Sequence, residues 1–151
     1  SMMLFCSMNA WACSCLNISS IEETIATYPV LVEAQVLSLE QTISMEYGTL
    51  VHSAKLKVLR TLKSPIAIQV ITVEASPCSS SLDINLMKLG HTYILPLSMP
   101  IKGWKFEMAG CAHSGMELVS GKLYTFEQDK WPNRRLQFYK NYSDFLSELK
   151  K

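Results

Sequence analysis

Charge is scarce in this sequence: 18% of its 151 residues are charged, the formal net charge is +1, and lysine and arginine nowhere form a block. Non-specific nucleic-acid binding needs a clustered positive field, so no nucleic-acid partner is expected. No apolar run approaches the ~20 residues of a membrane-spanning helix, so no transmembrane segment is expected. Histidine is equally sparse. His52, His91 and His113 are the only three, and neither a His-Glu-x-x-His nor a Cys-x-x-Cys pattern occurs. A site built from His91, His113 and a carboxylate is weighed against scattered surface histidines, and the latter reading is adopted. No metal of its own and no cofactor are therefore expected. A Gly-rich phosphate loop and a serine elbow are also absent. Alternation of strands and helices is missing too, which argues against a parallel doubly wound sheet. Neither an internal repeat nor a low-complexity tract appears.

What is present is an unusual set of cysteines. The chain has five: Cys6, Cys13, Cys15, Cys78 and Cys111. Met2 to Ala12 is apolar and uncharged, and Ala10-Trp11-Ala12 has the small residues that suit a signal-peptidase cut before Cys13. Residues 1–12 thus read as a signal-peptide remnant or tag, and residues 13–151 as one domain. Cys6 leaves with the remnant, and four cysteines stay. Four allow three pairings. Direct Cys13–Cys15 pairing would close a very tight ring, which leaves two crossed alternatives open. An even cysteine count behind a signal-like segment predicts an oxidising compartment, secreted or periplasmic. Acylation of Cys13 as a lipid anchor ranks behind, because the Ala-Trp-Ala-Cys context lacks a large aliphatic residue.

Hydrophobic periodicity predicts a mainly β domain. Ser20-Ile21-Glu22-Glu23 is a capping box, and Ile21, Ile25 and Tyr28 follow at helical spacing until Pro29 stops the helix. Val30, Val32, Ala34 and Val36 alternate with Glu33 and Gln35, the mark of a half-buried strand over 30–39. A hairpin tip is expected around Gly48. A second strand is expected over 51–59, with Ala54, Leu56 and Val58 inward and Lys55 and Lys57 outward. Ser64-Pro65 ends it. Further strands are expected over 68–74, 91–97, 105–108 and 123–126, and an amphipathic helix over 143–150. The segment Ser76 to Ser81 reads as a loop by composition. Five or six short antiparallel strands suit a five-stranded barrel of the oligonucleotide/oligosaccharide-binding type, with a short N-terminal and a C-terminal helix.

The Cys-Ser-Cys start, the strands "VLVEAQVL" and "AKLKVLRTLK", the loop "EASPCSS", and the segments "GHTYIL" and "AGCAHSG" together resemble a netrin-like domain. The resemblance is strongest to the N-terminal domain of the tissue inhibitors of metalloproteinases and spans about two thirds of the chain, Cys13 to Gly115. It implies the bridges Cys13–Cys78 and Cys15–Cys111. It also implies a non-enzymatic, secreted inhibitor whose Cys13 α-amine and carbonyl chelate the zinc of a target metalloprotease. Ser14 would then enter the specificity pocket, flanked by a ridge of Ser76, Pro77, Cys78 and Ser79. The chain departs from the animal inhibitors in having Leu16-Asn17-Ile18-Ser19-Ser20 after the cysteine pair and no third N-domain disulfide. The alternative within the same fold is an extracellular or periplasmic protein-binding module that does not chelate zinc.

Other residues read structurally. Glu22 and Glu23 are helix N-terminal charges rather than catalytic carboxylates. Cys111 and His113 stand close in sequence, but a bridged Cys111 is inert as a nucleophile. Lys130-Trp131-Pro132-Asn133-Arg134-Arg135 reads as a solvated loop, and Asn17 and Asn141 stand in glycosylation-type sequons.

Overall fold

The computed structural model describes residues 19–45, 48–75, 82, 84–100, 105–110, 112–126 and 135–150. The first element of the described residues is helix α1 (Ile21–Thr27), followed by β1 (Val30–Ser44), β2 (Gly48–Lys63), β3 (Val70–Glu74) and a 3₁₀ turn at Ile84–Leu86. It then forms β4 (Thr92–Leu97), β5 (Lys105–Glu107), β6 (Met116–Val119), β7 (Lys122–Phe126), β8 (Leu136–Asn141) and helix α2 (Tyr142–Leu149). The domain is mainly β, as the periodicity predicts.

Local signals account for α1. The Glu23 amide donates to Ser20 Oγ at 3.1 Å, the first half of a capping box. Tyr28, in extended conformation before Pro29, ends the helix. At the other end of β2, Ser64 Oγ accepts from the Ile66 amide at 3.1 Å, closing the turn that stops the strand.

The eight strands of the described residues join one sheet in the order β5-β3-β2-β1-β4-β6-β7-β8, an open series ending at β5 and β8. Periodicity predicts five or six strands. β6 and β8 are additional, and β1 and β2 run well beyond their expected ends. Every pair is antiparallel except β3–β5, which is parallel. An isolated antiparallel bridge joins Leu97, at the end of β4, to Met108, just after β5. β4 therefore has β1 on one side, with β6 beside its first half and Met108 beside its last residue. Pro96, which has no N–H to donate, lies beyond the β6 ladder.

The β1–β2 ribbon carries four register shifts. Each bulge sharpens local twist and re-aims the extra residue. Leu37, Leu59 and His52 are such unpaired residues, and all three are exposed.

Two apolar cores lie on the two faces of β1 and β4. The larger gathers Val30, Val32, Ala34, Val36, Ala54, Leu56, Ile71, Val73, Tyr93, Leu95 and Phe106. These include the inward positions expected for β1 and β2 except Val58, which is half-buried against this core, while Lys55 and Lys57 are exposed on the other side. The second core gathers Leu31, Ile94, Met116, Leu123 and Phe145, covered by Ile21 and Ile25 of α1 and by Leu149 of α2. Leu31 is the residue that alternation alone would turn to solvent; the helices and β6–β8 close over it.

Candidate functional site

The residues singled out from sequence, Cys13, Ser14, Cys15, Ser76, Pro77, Cys78, Ser79 and Cys111, all lie outside the described residues. Some described residues near them come together. Ser20, five positions after Cys15, begins α1. Leu82 stands four positions after Cys78, and Ala112 directly follows Cys111.

Hydrogen bonds tie these three segments into one knot. Thr24, the fully buried residue of α1, donates its hydroxyl to Ser20 O at 2.7 Å. The same hydroxyl accepts the His113 amide at 3.1 Å, across 89 positions of sequence. One residue on, Ser114 Oγ donates to Leu82 O at 2.7 Å. Gly115 completes the contact: a Cβ there, at φ +154°, would meet Leu82 and Leu95 side-chain carbons at 2.9 Å and Ile94 O at 3.0 Å. Only glycine lets the backbone approach so closely. Helical spacing picks out Ile21, Ile25 and Tyr28 but not Thr24, because a threonine in a short helix carries no burial signal without its partner.

His113 is 9% exposed and lines a small cavity with Ile21, Thr24, Ile25, Leu31, Ile94, Pro96 and Met116. Burial pulls its imidazole down to about 4, against a weaker upward pull from the Glu22 carboxylate. His91 is elsewhere. Its Nδ1 meets Glu117 Oε1 at 2.5 Å, with the His91 side chain 44% exposed and that of Glu117 6%. Glu117 pairs across the sheet with Tyr93, whose phenol is pushed up to about 12, chiefly by burial. The Tyr93 hydroxyl accepts the Lys88 amide at 3.0 Å, which holds the turn ahead of His91. Tyr93 belongs to the larger core, whereas His113 lies on the α1 side, against Ile94 of the second core. The two histidines are thus not brought together. Among the described residues no group of three His, Cys, Asp or Glu is placed to hold a metal.

A polar cleft of about 600 Å³ lies across β1, β2, β3 and β5, lined by Glu40, His52, Ser53, Thr72, Glu74, Ala75 and Lys105. Glu40, Ser53 and Glu74 stand in register on neighbouring strands. Ser53 Oγ donates to Glu40 Oε2 at 3.1 Å, and Lys105 Nζ lies 3.7 Å from Glu74 Oε1. The bulge at His52 puts that histidine on the lining. Ala75 lines the cleft and directly precedes Ser76, the first residue of the sequence-predicted ridge. The alternating polar residues of these strands carried a signal for an outward face; their alignment across strands did not exist until the register was known.

Of the Lys130–Arg135 loop, only Arg135 is described, and it is exposed; Asn141 is also exposed and makes no side-chain cap on α2. No described helix is long and apolar enough to cross a membrane. Comparison with protein-family models, curated proteins and solved structures finds no match to this chain.

Proposed function

We propose that the chain is a secreted or periplasmic netrin-like protein that inhibits a zinc metalloprotease through a mature N-terminal Cys13. The observation that carries this reading is the knot of Ser20–Thr24, Leu82 and Ala112–Ser114. The crossed bridges Cys13–Cys78 and Cys15–Cys111 would draw the start of α1, the segment after Cys78 and the segment after Cys111 together, and the meeting of Ser20–Thr24, Leu82 and His113–Ser114 supports that arrangement. On the same reading β1–β5 form a five-stranded barrel of the oligonucleotide/oligosaccharide-binding type, to which β6–β8 and α2 are added. The parallel β3–β5 pair and the Leu97–Met108 bridge support that closure.

The chemistry is ligand displacement. A catalytic zinc keeps an open position for water, and an unprotonated amine beside a carbonyl oxygen takes that position. A free α-amine titrates near 7.7–8.0, so chelation strengthens as pH rises through that range. Ser14 enters the target's specificity pocket, and Ser76, Pro77, Cys78 and Ser79 flank it.

The test is inhibition of a panel of zinc metalloproteases by the disulfide-intact chain beginning at Cys13, beside the same chain with one added N-terminal Ala. Tight inhibition abolished by the extra Ala is the expected result. Equal inactivity of both forms favours the second reading, a protein-binding module that does not chelate zinc. The exposed apolar tip of the β1–β2 hairpin, with Ile43 87% exposed and Met45 fully so, is the observation on its side.

A further inference from the structure

The contact between α1 and the Ala112–Met116 segment has a composition suited to a switch. α1 has seven residues, too few to hold a helix in water without a partner. Its docked state rests on a small number of contacts. Ile21 and Ile25 join the second core, and Thr24 accepts the His113 amide. Lys63 Nζ donates to Ile25 O at 2.8 Å and to Ala26 O at 3.3 Å, and the Tyr139 hydroxyl donates to Glu22 at 2.6 Å. Behind these contacts sits the buried imidazole of His113, in a cavity whose other lining residues are Ile21, Thr24, Ile25, Leu31, Ile94, Pro96, Gly115 and Met116.

We propose that α1 is an acid-released latch, held while His113 is neutral and freed when its imidazole takes up a proton. The lining explains the direction. β1 contributes Leu31, β4 contributes Ile94 and Pro96, and β6 contributes Met116, none of which can solvate a cation. From α1 the Glu22 carboxylate, outside the cavity lining, favours the proton through its charge, but it is already engaged by Tyr139 of β8 and drawn on by Lys140. Lys63 of β2 stands at the far end of the helix, on its last carbonyls. Burial outweighs Glu22, so the docked imidazole stays neutral far below the range in which a free one charges. Undocking α1 opens the cavity lining to water and returns the ring to ordinary behaviour. Acid therefore favours the undocked state. The packing of α1 carries the latch whether or not the chain inhibits a protease.

Magnitude follows from proton linkage. With the docked imidazole at about 4 and a free one near 6.5, the opening constant of α1 rises about 30-fold between pH 8 and pH 5. The test is amide hydrogen exchange, corrected for intrinsic rates, on the whole chain and on its His113→Gln variant at both pH values. The expected result is a rise of that order for the α1 amides and for His113 and Met116 in the unsubstituted chain. The Ala54 and Leu56 amides of β2 should show no comparable rise, and the rise should be absent in His113→Gln. A His91→Gln chain, run beside these, should keep the pH response, since its imidazole sits on Glu117 and not on α1. An equal rise in His113→Gln overturns the latch, as does a flat response in the unsubstituted chain. Opening of β2 together with α1 also overturns it, because the event would then be global unfolding. Should His113→Gln not fold, an NMR titration of the His113 ring decides: a ring half-protonated near 6.5 with α1 still protected overturns the proposal.

Discussion

The two ends of the β1–β2 ribbon have similar apolar residues and opposite fates. At the base, Leu31 is fully buried although it points away from the main core, because α1, α2 and β6–β8 cover that face. At the tip, Ile43 and Met45 stand in solvent, with Leu50 exposed beside them. β1 pairs with β4 only through Val30 to Gln35, so the distal half of the ribbon lacks that neighbour. The difference teaches that apolar identity sets what a residue gains from burial, and topology sets whether burial is on offer.

The strongest way to break the comparison is to empty the base. Leu31→Ala should destabilise the fold by about 3 kcal/mol, within the 2–5 range of buried leucine truncations, measured by urea denaturation. A smaller loss at the base would mean that the helices do not pack over it as described.

Acid should attack the same region next. Above about pH 7.5 the His113 imidazole is neutral in folded and unfolded chain alike and contributes no pH dependence. Below that, the unfolded chain binds the proton and the folded chain does not until about pH 4, so stability falls as pH drops through this window. The loss from this group should reach roughly 2 kcal/mol at pH 5, and denaturation midpoints at pH 7 and pH 5 should move together in His113→Gln.

A third test concerns the start of α1. Ser20→Ala removes the acceptor of the Glu23 amide and should cost about 1 kcal/mol, seen as a lower thermal midpoint. The smallest effect belongs to the tip. Ile43→Ser should change stability by no more than about 0.5 kcal/mol in the same urea assay. A tip substitution that rivals Leu31→Ala would erase the distinction between the two ends.

Much of the fold was legible in the residues. The Ser20 capping box and Pro29 bounded α1, and strand alternation sorted Ala54 and Leu56 from Lys55 and Lys57. These succeed because they depend on backbone chemistry and a period of two within a few residues. β6 and β8 were missed. Met116–Val119 is a four-residue strand, and Leu136–Asn141 has its apolar side chains largely exposed, so neither shows a buried-face pattern. The His91–Glu117 pair spans 26 positions and the Thr24–His113 contact 89; no local rule reaches so far. The sequence-predicted inhibitory residues lie outside the described residues.

By itself the sequence determined the class of the domain, the limits of α1 and the inward faces of β1 and β2, since turn chemistry, capping and side-chain period act between near neighbours. Only the tertiary structure decided that Leu31 is covered, that His113 is walled in by apolar side chains and that Glu40, Ser53 and Glu74 line one cleft. Those outcomes depend on which distant strands come to lie side by side, and on the water that their packing excludes.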